Sequence, residues 1–247
     1  MLSPQRRPRT VMAATITVAS LALLAGCSSG PGKATALQAS PGSRVSLPAS
    51  SGPVPDLGAM AAVGKAITAT KALRSYAFHA SQQLTGGAGA QQTVLIGKVI
   101  RPGSVSYTLT VGGQTQQVIN LAGRTYLRRP PGSWKALANP KSAVDPVASL
   151  LPLLTALAQP TLVGNVLRGT VPANVLTASG LAPAGTTDRT GIANTPVTFT
   201  LDGAGQVTDL ALRIVVKAGA KTLTVQQATS FSLFDAVPAI VAPGRIT

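Results

Sequence analysis

The sequence predicts an α+β protein, because helical and strand patterns occupy separate parts of the chain. Residues 56–73 place apolar side chains at three- and four-residue spacing, which is typical of an amphipathic helix. Residues 75–129 and 195–234 alternate apolar and polar side chains, which is typical of strands with one buried face. An uncharged, leucine-rich stretch separates these two blocks. Such segregation of helices from strands implies the α+β class.

The first helix is predicted over residues 56–73. Asp56 precedes it and is suited to cap its N-terminus. Strands are then predicted over 75–84, 92–101, 104–111, 114–121 and 123–129. The pattern is clearest in 104–111, where valine, tyrosine and leucine alternate with serine and threonine. Gly112-Gly113 predicts a hairpin after this strand, and Pro130-Pro131-Gly132 ends the block.

The middle of the chain carries no charged residue between Asp145 and Arg168. By length alone this stretch could span a membrane. Prolines at positions 146, 152 and 160 and the lack of a basic stop sequence argue against a span. Two short apolar helices, broken at Pro160, are predicted instead. Helices this apolar must be covered on nearly every side or must line an apolar space.

Three further strands are predicted over 195–202, 206–217 and 221–234. Asp202-Gly203-Ala204-Gly205 forms the turn between the first two, and Gly219 marks the hairpin between the last two. An apolar tail follows over residues 237–243.

The N-terminal residues resemble a bacterial lipoprotein signal sequence. Arg6, Arg7 and Arg9 precede a short apolar run that ends in Leu24-Ala25-Gly26-Cys27, a lipobox whose cysteine is the only one in the chain. This predicts a signal peptide over 1–26 and a diacylglycerol on Cys27; an uncleaved helical anchor with an incidental cysteine is the alternative. Residues 27–55 are rich in Ser, Gly, Pro and Ala and predict a flexible tether. Residues 56–247 then form one folded domain, exported and held by lipid on the extracytoplasmic face of the cell membrane.

Basic residues far outnumber acidic residues in the chain. The chain carries 21 Lys and Arg against 6 acidic residues, all of them aspartate, for a formal net charge of +15. Nucleic acid is discounted as a partner, because the protein is predicted to be exported and aromatic residues make up only 3% of it, too few for base stacking. Two explanations of the charge remain open: attraction to anionic lipid headgroups, and a compositional bias of the genome.

The sequence argues against an enzyme. His79 is the only histidine, it lies within a strand pattern, and no G-x-S-x-G motif accompanies it. No spacing typical of a zinc site occurs, so neither a metal nor a cofactor is predicted. Asp202 and Asp209 are interpreted as strand and turn residues rather than as a catalytic carboxylate pair.

Several features together resemble the actinobacterial lipoprotein family that includes LppX and LprG, relatives of the LolA/LolB carriers. These features are the lipobox, a helix before the Ser75-Tyr76-Ala77-Phe78-His79-Ala80 strand, and the Gly-Gly hairpin. Gly123-Arg124-Thr125-Tyr126 followed by Gly132-Ser133-Trp134 is similar to that family's G-x-x-Y…G-x-W segment. The resemblance covers 56–243 and is weakest over 169–188.

The resemblance implies a strongly bent antiparallel sheet, or half-barrel, with helices covering its concave apolar face. The space between them would hold acyl chains, so the implied function is a monomeric carrier of acylated lipid or lipoglycan. The predicted lipid-cavity residues are Tyr76, Phe78, Leu109, Leu150, Leu151, Leu154, Leu157 and Val163. Packing within a helix-on-sheet core is the alternative role for the leucines, as it is for Tyr126 and Trp134. The alternative function is a non-enzymatic envelope lipoprotein with a filled core, acting as a scaffold or surface-binding module.

Overall fold

The computed structural model describes residues 56–86, 90–121, 123–137, 145–181, 194–218, 221–244 and 246. The predicted signal peptide, Cys27, the tether and the Gly219 hairpin lie outside the described residues. The helices are α1 (Leu57–Ala72), α2 (Pro146–Thr155) and α3 (Ala173–Ala178). The strands are β1 (Ser75–Thr85), β2 (Gln91–Ile100), β3 (Ser104–Val111), β4 (Gln114–Leu121), β5 (Arg124–Arg128), β6 (Lys135–Leu137), β7 (Ala158–Val163), β8 (Val166–Val171), β9 (Thr195–Leu201), β10 (Val207–Ala218) and β11 (Lys221–Ser232).

The strands form one antiparallel sheet in the order β6-β5-β4-β3-β2-β1-β11-β10-β9-β8-β7. The first strand lies at the centre and pairs with the last, so the two strand blocks of the sequence join edge to edge through β1 and β11. Strands β6 and β7 are the outer strands and do not pair with each other, so the sheet is open. The predicted α+β class and the open antiparallel sheet are confirmed.

One face of the sheet, called the inner face, carries the core. Tyr76 and Phe78 of β1 lie on it, opposite Val99 and Gly97 of β2. Apolar residues of α1 and α2 are buried in the same cluster, so the helices cover this face. The other face, called the outer face, carries Ser, Thr, Gln and His79, as the period of two predicts.

The prediction of a second apolar helix after α2 is wrong. Residues 158–171 form the hairpin β7–β8, which turns at Gly164 with a φ of 62°. Threonine and valine favour a pleated strand over a helix, and Pro160 and Gly164 are breakers. The buried residues of β8, Leu167 and Val171, face β9 partners of the inner face. The short elements β6 and α3 are also absent from the prediction.

The remaining predicted elements are confirmed to within about two residues. The Asp202 turn is closed by a hydrogen bond from the Gly205 N–H to the Asp202 carbonyl, 3.0 Å long. After β11, Asp235 accepts hydrogen bonds from the N–H groups of Arg74 and Ser75 at 2.7 and 3.0 Å. The apolar tail then reaches the opposite part of the sheet, where Ile246 bridges to Trp134.

Candidate functional site

A cavity of about 440 Å³ lies between the inner face and the covering helices. This volume falls within the range of small-molecule sites, about 300–1,000 Å³. The lining residues come from three neighbouring strands, from the start of α2 and from the end of α3: Ala80, Ser81, Gln82, Thr93, Leu95, Asp145, Pro146, Ala148, Ser149, Ser179, Gly180, Leu181 and Gln227.

The floor of the cavity is the central part of the sheet. Ala80 lies opposite Leu95 on β2, and Gln82 lies between Thr93 on β2 and Gln227 on β11. These residues follow Tyr76 and Phe78 along the same face, so the cavity continues from the packed core. The space exists because β1 places the small side chain of Ala80 where the preceding inner-face positions carry aromatic rings.

The cover is formed by two helix ends. Pro146 occupies the start of α2, where its missing N–H costs no helical hydrogen bond. The Ser149 hydroxyl donates to the backbone oxygen of Ser179 at 3.4 Å, which joins α2 to the end of α3. Gly180 then adopts a φ of 69°, which turns the chain towards Leu181 and ends α3 in the manner of a helix C-cap.

Asp145 fixes the cover to the sheet. Its carboxylate accepts bonds from Arg101 Nε at 2.9 Å and Arg101 Nη2 at 3.2 Å. The Tyr76 hydroxyl also donates to Asp145, and the N–H groups of Val147 and Ala148 donate to it at 3.1 and 3.2 Å. One carboxylate therefore caps α2 and pairs with an arginine at the end of β2. The start of α2 is held rigidly over the cavity as a result.

Arg101 extends the same network to α1. Its Nη1 donates to the backbone oxygens of Thr70 and Leu73 at 3.3 and 3.4 Å. Its guanidinium carbon lies 5.8 Å from the centre of the Tyr76 ring. A cation at these carbonyls also complements the negative end of the helix dipole. The two long helices and the two central strands thus meet at one ion pair.

Burial raises the pKa of Tyr76 far above its ordinary value, and the neighbouring Asp145 carboxylate raises it further. The phenol therefore stays protonated and remains a hydrogen-bond donor to Asp145. Burial also raises the pKa of Tyr107, which lies on the same face in β3.

Two polar atoms of the cavity region are buried without a protein partner. The Oε1 atom of Gln227 and the Oγ atom of Ser179 are inaccessible to solvent, and neither makes a hydrogen bond with the described residues. Otherwise the walls are largely apolar, with Ala80, Leu95 and Leu181 among them. The accessible lining of the cavity is therefore mainly apolar.

The residues predicted to line the cavity lie elsewhere. Five of them are buried in the core cluster beside the cavity: Tyr76, Phe78, Leu150, Leu154 and Leu157. Leu109 and Leu151 are partly buried, and Val163, at the end of β7, is 69% exposed. None of these eight borders the cavity. Their role in ligand binding stays a prediction. Tyr126 is buried, and Trp134 stacks under the Arg128 guanidinium at 5.2 Å; neither lines the cavity.

A second, shallower concavity of about 530 Å³ lies on the outer face. Across it run Gln92, Gln83, Gln226 and Arg213, which are consecutive partners in the strand register. All four are exposed. The lining of this groove is more polar than that of the cavity on the inner face.

Exposed apolar side chains cluster where α1 begins. Leu57 and Met60 are 81% and 52% exposed, one turn apart on the helix. The Leu162 N–H of β7 donates to Asp56 at 3.3 Å, which places the backbone of this strand beside the start of α1. The start of α1 therefore presents exposed apolar side chains, which we call the α1 patch (Leu57 and Met60).

The described part of the chain lacks two features. None of its helices combines the length and the apolar character that crossing a bilayer requires. No group of three or more His, Cys, Asp or Glu side chains suited to a metal ion occurs there.

The fold is similar to those of several solved structures. LprF from Mycobacterium bovis is 15% identical with a TM-score of 0.49, over 76% of this chain and 98% of LprF. The Mycobacterium tuberculosis lipoprotein LppX is 14% identical with a TM-score of 0.40, over 75% of this chain and all of LppX (100%). A LolA superfamily protein from Nitrosomonas europaea is 10% identical with a TM-score of 0.25, over 73% and 94% of the two chains.

No protein-family model matches the sequence, and no curated protein matches it. LppX and the LolA superfamily are also the relatives named by the sequence resemblance. At such low identities and TM-scores the likeness concerns the fold, and the function has to be argued from the geometry of this chain.

Proposed function

We propose that this protein is a membrane-anchored envelope lipoprotein that binds an acylated lipid in the inner-face cavity and acts as a carrier of lipid or lipoglycan. The observation that supports this proposal is the cavity of about 440 Å³ between the sheet and the ends of α2 and α3. Its aliphatic walls suit a hydrocarbon chain, and each buried methylene contributes about 0.8 kcal/mol. The role is non-enzymatic and requires no cofactor.

The anchor in this proposal is a diacylglycerol on Cys27, followed by the tether 27–55 and the folded domain from residue 56. Two acyl chains give stable membrane attachment, whereas one gives only marginal binding. The α1 patch begins where the tether ends, so this end of the domain faces the membrane. The net charge of +15 favours an anionic surface.

Lipid binding is tested with the chain from Ser28, which lacks the signal sequence and the cysteine. The chain is incubated with vesicles of diacyl phospholipid and analysed by native mass spectrometry. We expect a complex with one lipid. Ala80→Trp fills the cavity from its floor and should abolish this complex. Ala228→Trp, on the exposed outer face of β11, should leave it intact.

The result that contradicts lipid binding is an unliganded mass for the parent chain with every lipid offered. Complex formation by Ala80→Trp equal to that of Ala228→Trp would place the lipid outside the cavity. Circular dichroism of both variants checks that the sheet is retained.

Anchoring is tested separately with Cys27→Ser. This substitution should move the full-length protein from the detergent phase to the aqueous phase in a phase-partition assay. Retention in the detergent phase would contradict lipidation of this cysteine.

A second candidate function is a scaffold or surface-binding module. It is favoured by the outer-face groove, where Gln92, Gln83, Gln226 and Arg213 form a continuous polar row. Amide and guanidinium groups suit a polar polymer such as cell-wall glycan. Sedimentation of the chain from Ser28 with purified cell wall, compared with that of Arg213→Ala, distinguishes this role; equal sedimentation of the two would argue against the groove.

A further inference from the structure

The volume of the inner-face cavity limits how much hydrocarbon it can hold. A methylene group occupies about as much space as a water molecule in the liquid, about 30 Å³. The cavity of about 440 Å³ therefore holds about fifteen methylenes, which is one acyl chain of ordinary length. Two such acyl chains would need about 900 Å³, roughly twice the space between the sheet and the helices.

The packing of α2 opposes any widening of this space. Leu150 and Leu154, which belong to the core cluster, are at most 1% exposed. The start of the same helix is tied to the sheet by the ion pair between Asp145 and Arg101, in which Nε and Oδ2 are 2.9 Å apart. A second acyl chain would have to displace packed leucines or separate this ion pair, and both changes are unfavourable.

Two side chains on the floor determine how far an acyl chain can extend. Ala80 of β1 lies opposite Leu95 of β2, and both border the cavity. The preceding inner-face residue of β1 is Phe78, which is buried in the core cluster. The free space therefore begins at Ala80. A larger side chain at position 80 would shorten it, and a smaller side chain at position 95 would lengthen it.

We infer that the cavity takes one acyl chain of about fifteen carbons, and that Ala80 and Leu95 set this limit. The inference rests on the proposed lipid binding and names the ligand class, a lipid with a single acyl chain such as a lysophospholipid. Each methylene inside the cavity strengthens binding about fourfold, whereas a methylene beyond the limit stays outside and adds little. A two-chain lipid binds through one of its acyl chains and keeps the other outside the cavity.

The test is a series of lysophosphatidylcholines with saturated acyl chains both shorter and longer than this limit. Each is titrated as a monomer into the polypeptide from Ser28, and the complex is followed by native mass spectrometry. We expect the affinity to rise about fourfold with each added carbon and to level off near about fifteen carbons.

An affinity that keeps rising to the longest acyl chain would overturn the inference and leave lipid binding intact. Binding of no lysophosphatidylcholine by a protein that does bind diacyl phospholipid would also overturn the inference alone. Binding of neither kind of lipid would overturn both the inference and the proposed function.

Two substitutions should move the limit in opposite directions. Ala80→Leu adds about 90 Å³ of side chain and should shorten the limit by about three carbons. Leu95→Ala removes the same volume and should lengthen the limit by about three carbons. Ala228→Leu, on the exposed outer face of β11, is the matched control and should keep the limit of the parent protein. An unchanged limit in both cavity variants, with the circular dichroism spectrum of the parent retained, would overturn the inference.

A mixture of one-chain and two-chain lipids tests the number of acyl chains directly. The polypeptide from Ser28 is incubated with phosphatidylcholine vesicles that contain a minor fraction of lysophosphatidylcholine with the same acyl chain. We expect the complexes to be enriched in lysophosphatidylcholine relative to the vesicles, because phosphatidylcholine would remove a second acyl chain from the bilayer without burying it. Complexes with the proportions of the vesicles, or enriched in phosphatidylcholine, would show that two acyl chains are held and would overturn the inference.

Discussion

Replacing Asp145 by alanine should release the cover of the cavity from the sheet. The carboxylate receives two bonds from Arg101, one from Tyr76 and two from backbone N–H groups at the start of α2. Asp145→Ala removes all five acceptor contacts at once. It leaves the Tyr76 hydroxyl without its acceptor and Arg101 without its counter-ion.

The expected loss of stability follows from these contacts. Removing one partner of a buried ion pair costs about 3–5 kcal/mol, and losing an N-cap costs about 1 kcal/mol. Here the Arg101 and Asp145 side chains are 22% and 26% exposed, so water partly replaces the lost partner. We therefore expect a total near 3 kcal/mol for Asp145→Ala. Asp145→Asn keeps an oxygen for capping and should cost about half as much.

Urea unfolding of the chain from Ser28, followed by circular dichroism, measures these losses. Asp209→Ala is the control, because Asp209 is exposed on β10 and should cost less than about 0.5 kcal/mol. Hydrogen exchange should accelerate most at α2, since that helix loses its cap. A loss for Asp145→Ala no larger than for Asp209→Ala, or unchanged exchange at α2, would refute the view that this ion pair holds the cover.

Two further predictions concern the inner face. Burial raises the pKa of Tyr76, so the protonated phenol stabilises the folded state. This contribution is complete below pH 10, the pH at which the unfolded residue ionises. It is lost as the pH rises above that value. Tyr76→Phe should therefore weaken the alkaline fall in the urea midpoint without abolishing it, because Tyr107 remains; an unchanged pH profile would contradict the argument. Gly97→Ala places a Cβ 2.5 Å from the Ser106 carbonyl oxygen and should destabilise the fold by about 1–3 kcal/mol. Gly64→Ala, in α1, places a Cβ that meets no atom within 4 Å, and it should stabilise the helix by about 0.5–1 kcal/mol. Equal thermal midpoints for the two glycine variants would refute the packing argument.

The strands could be predicted from the sequence where one face is buried and the other is open. In β3, Val105 and Tyr107 alternate with Ser106 and Thr108, and the structure reproduces that alternation. The hairpin β7–β8 could not be predicted in the same way. Apart from Arg168, the residues on both faces of the segment are uncharged, which hides the period of two. Leu162 and Leu167 suit a buried helix as well as a buried strand.

The hydrogen-bond network around Asp145 could not be predicted from the sequence either. Asp145 precedes an apolar run and so predicts a helix start, but nothing in the sequence places Arg101 beside it. The two residues are 44 positions apart and meet only because the end of β2 and the start of α2 come together in the folded protein. The pairing of Arg101 with Asp145 is a consequence of tertiary structure, and no catalytic or metal-binding motif in the sequence indicates it.

The residues predicted to line the cavity are large, whereas the residues that border it are mostly small or polar. The abundance of leucine predicts an apolar pocket at Leu150 and Leu154, yet both are completely or almost completely buried in the core. Large side chains fill space, so a run of them predicts a packed interior. A cavity forms where such a run stops on an otherwise apolar face, as it does after Phe78, where Ala80 and Gln82 follow at alternate positions of β1. In this chain, the change from aromatic to small side chains along the inner face of β1 is therefore the sequence feature that indicates the cavity.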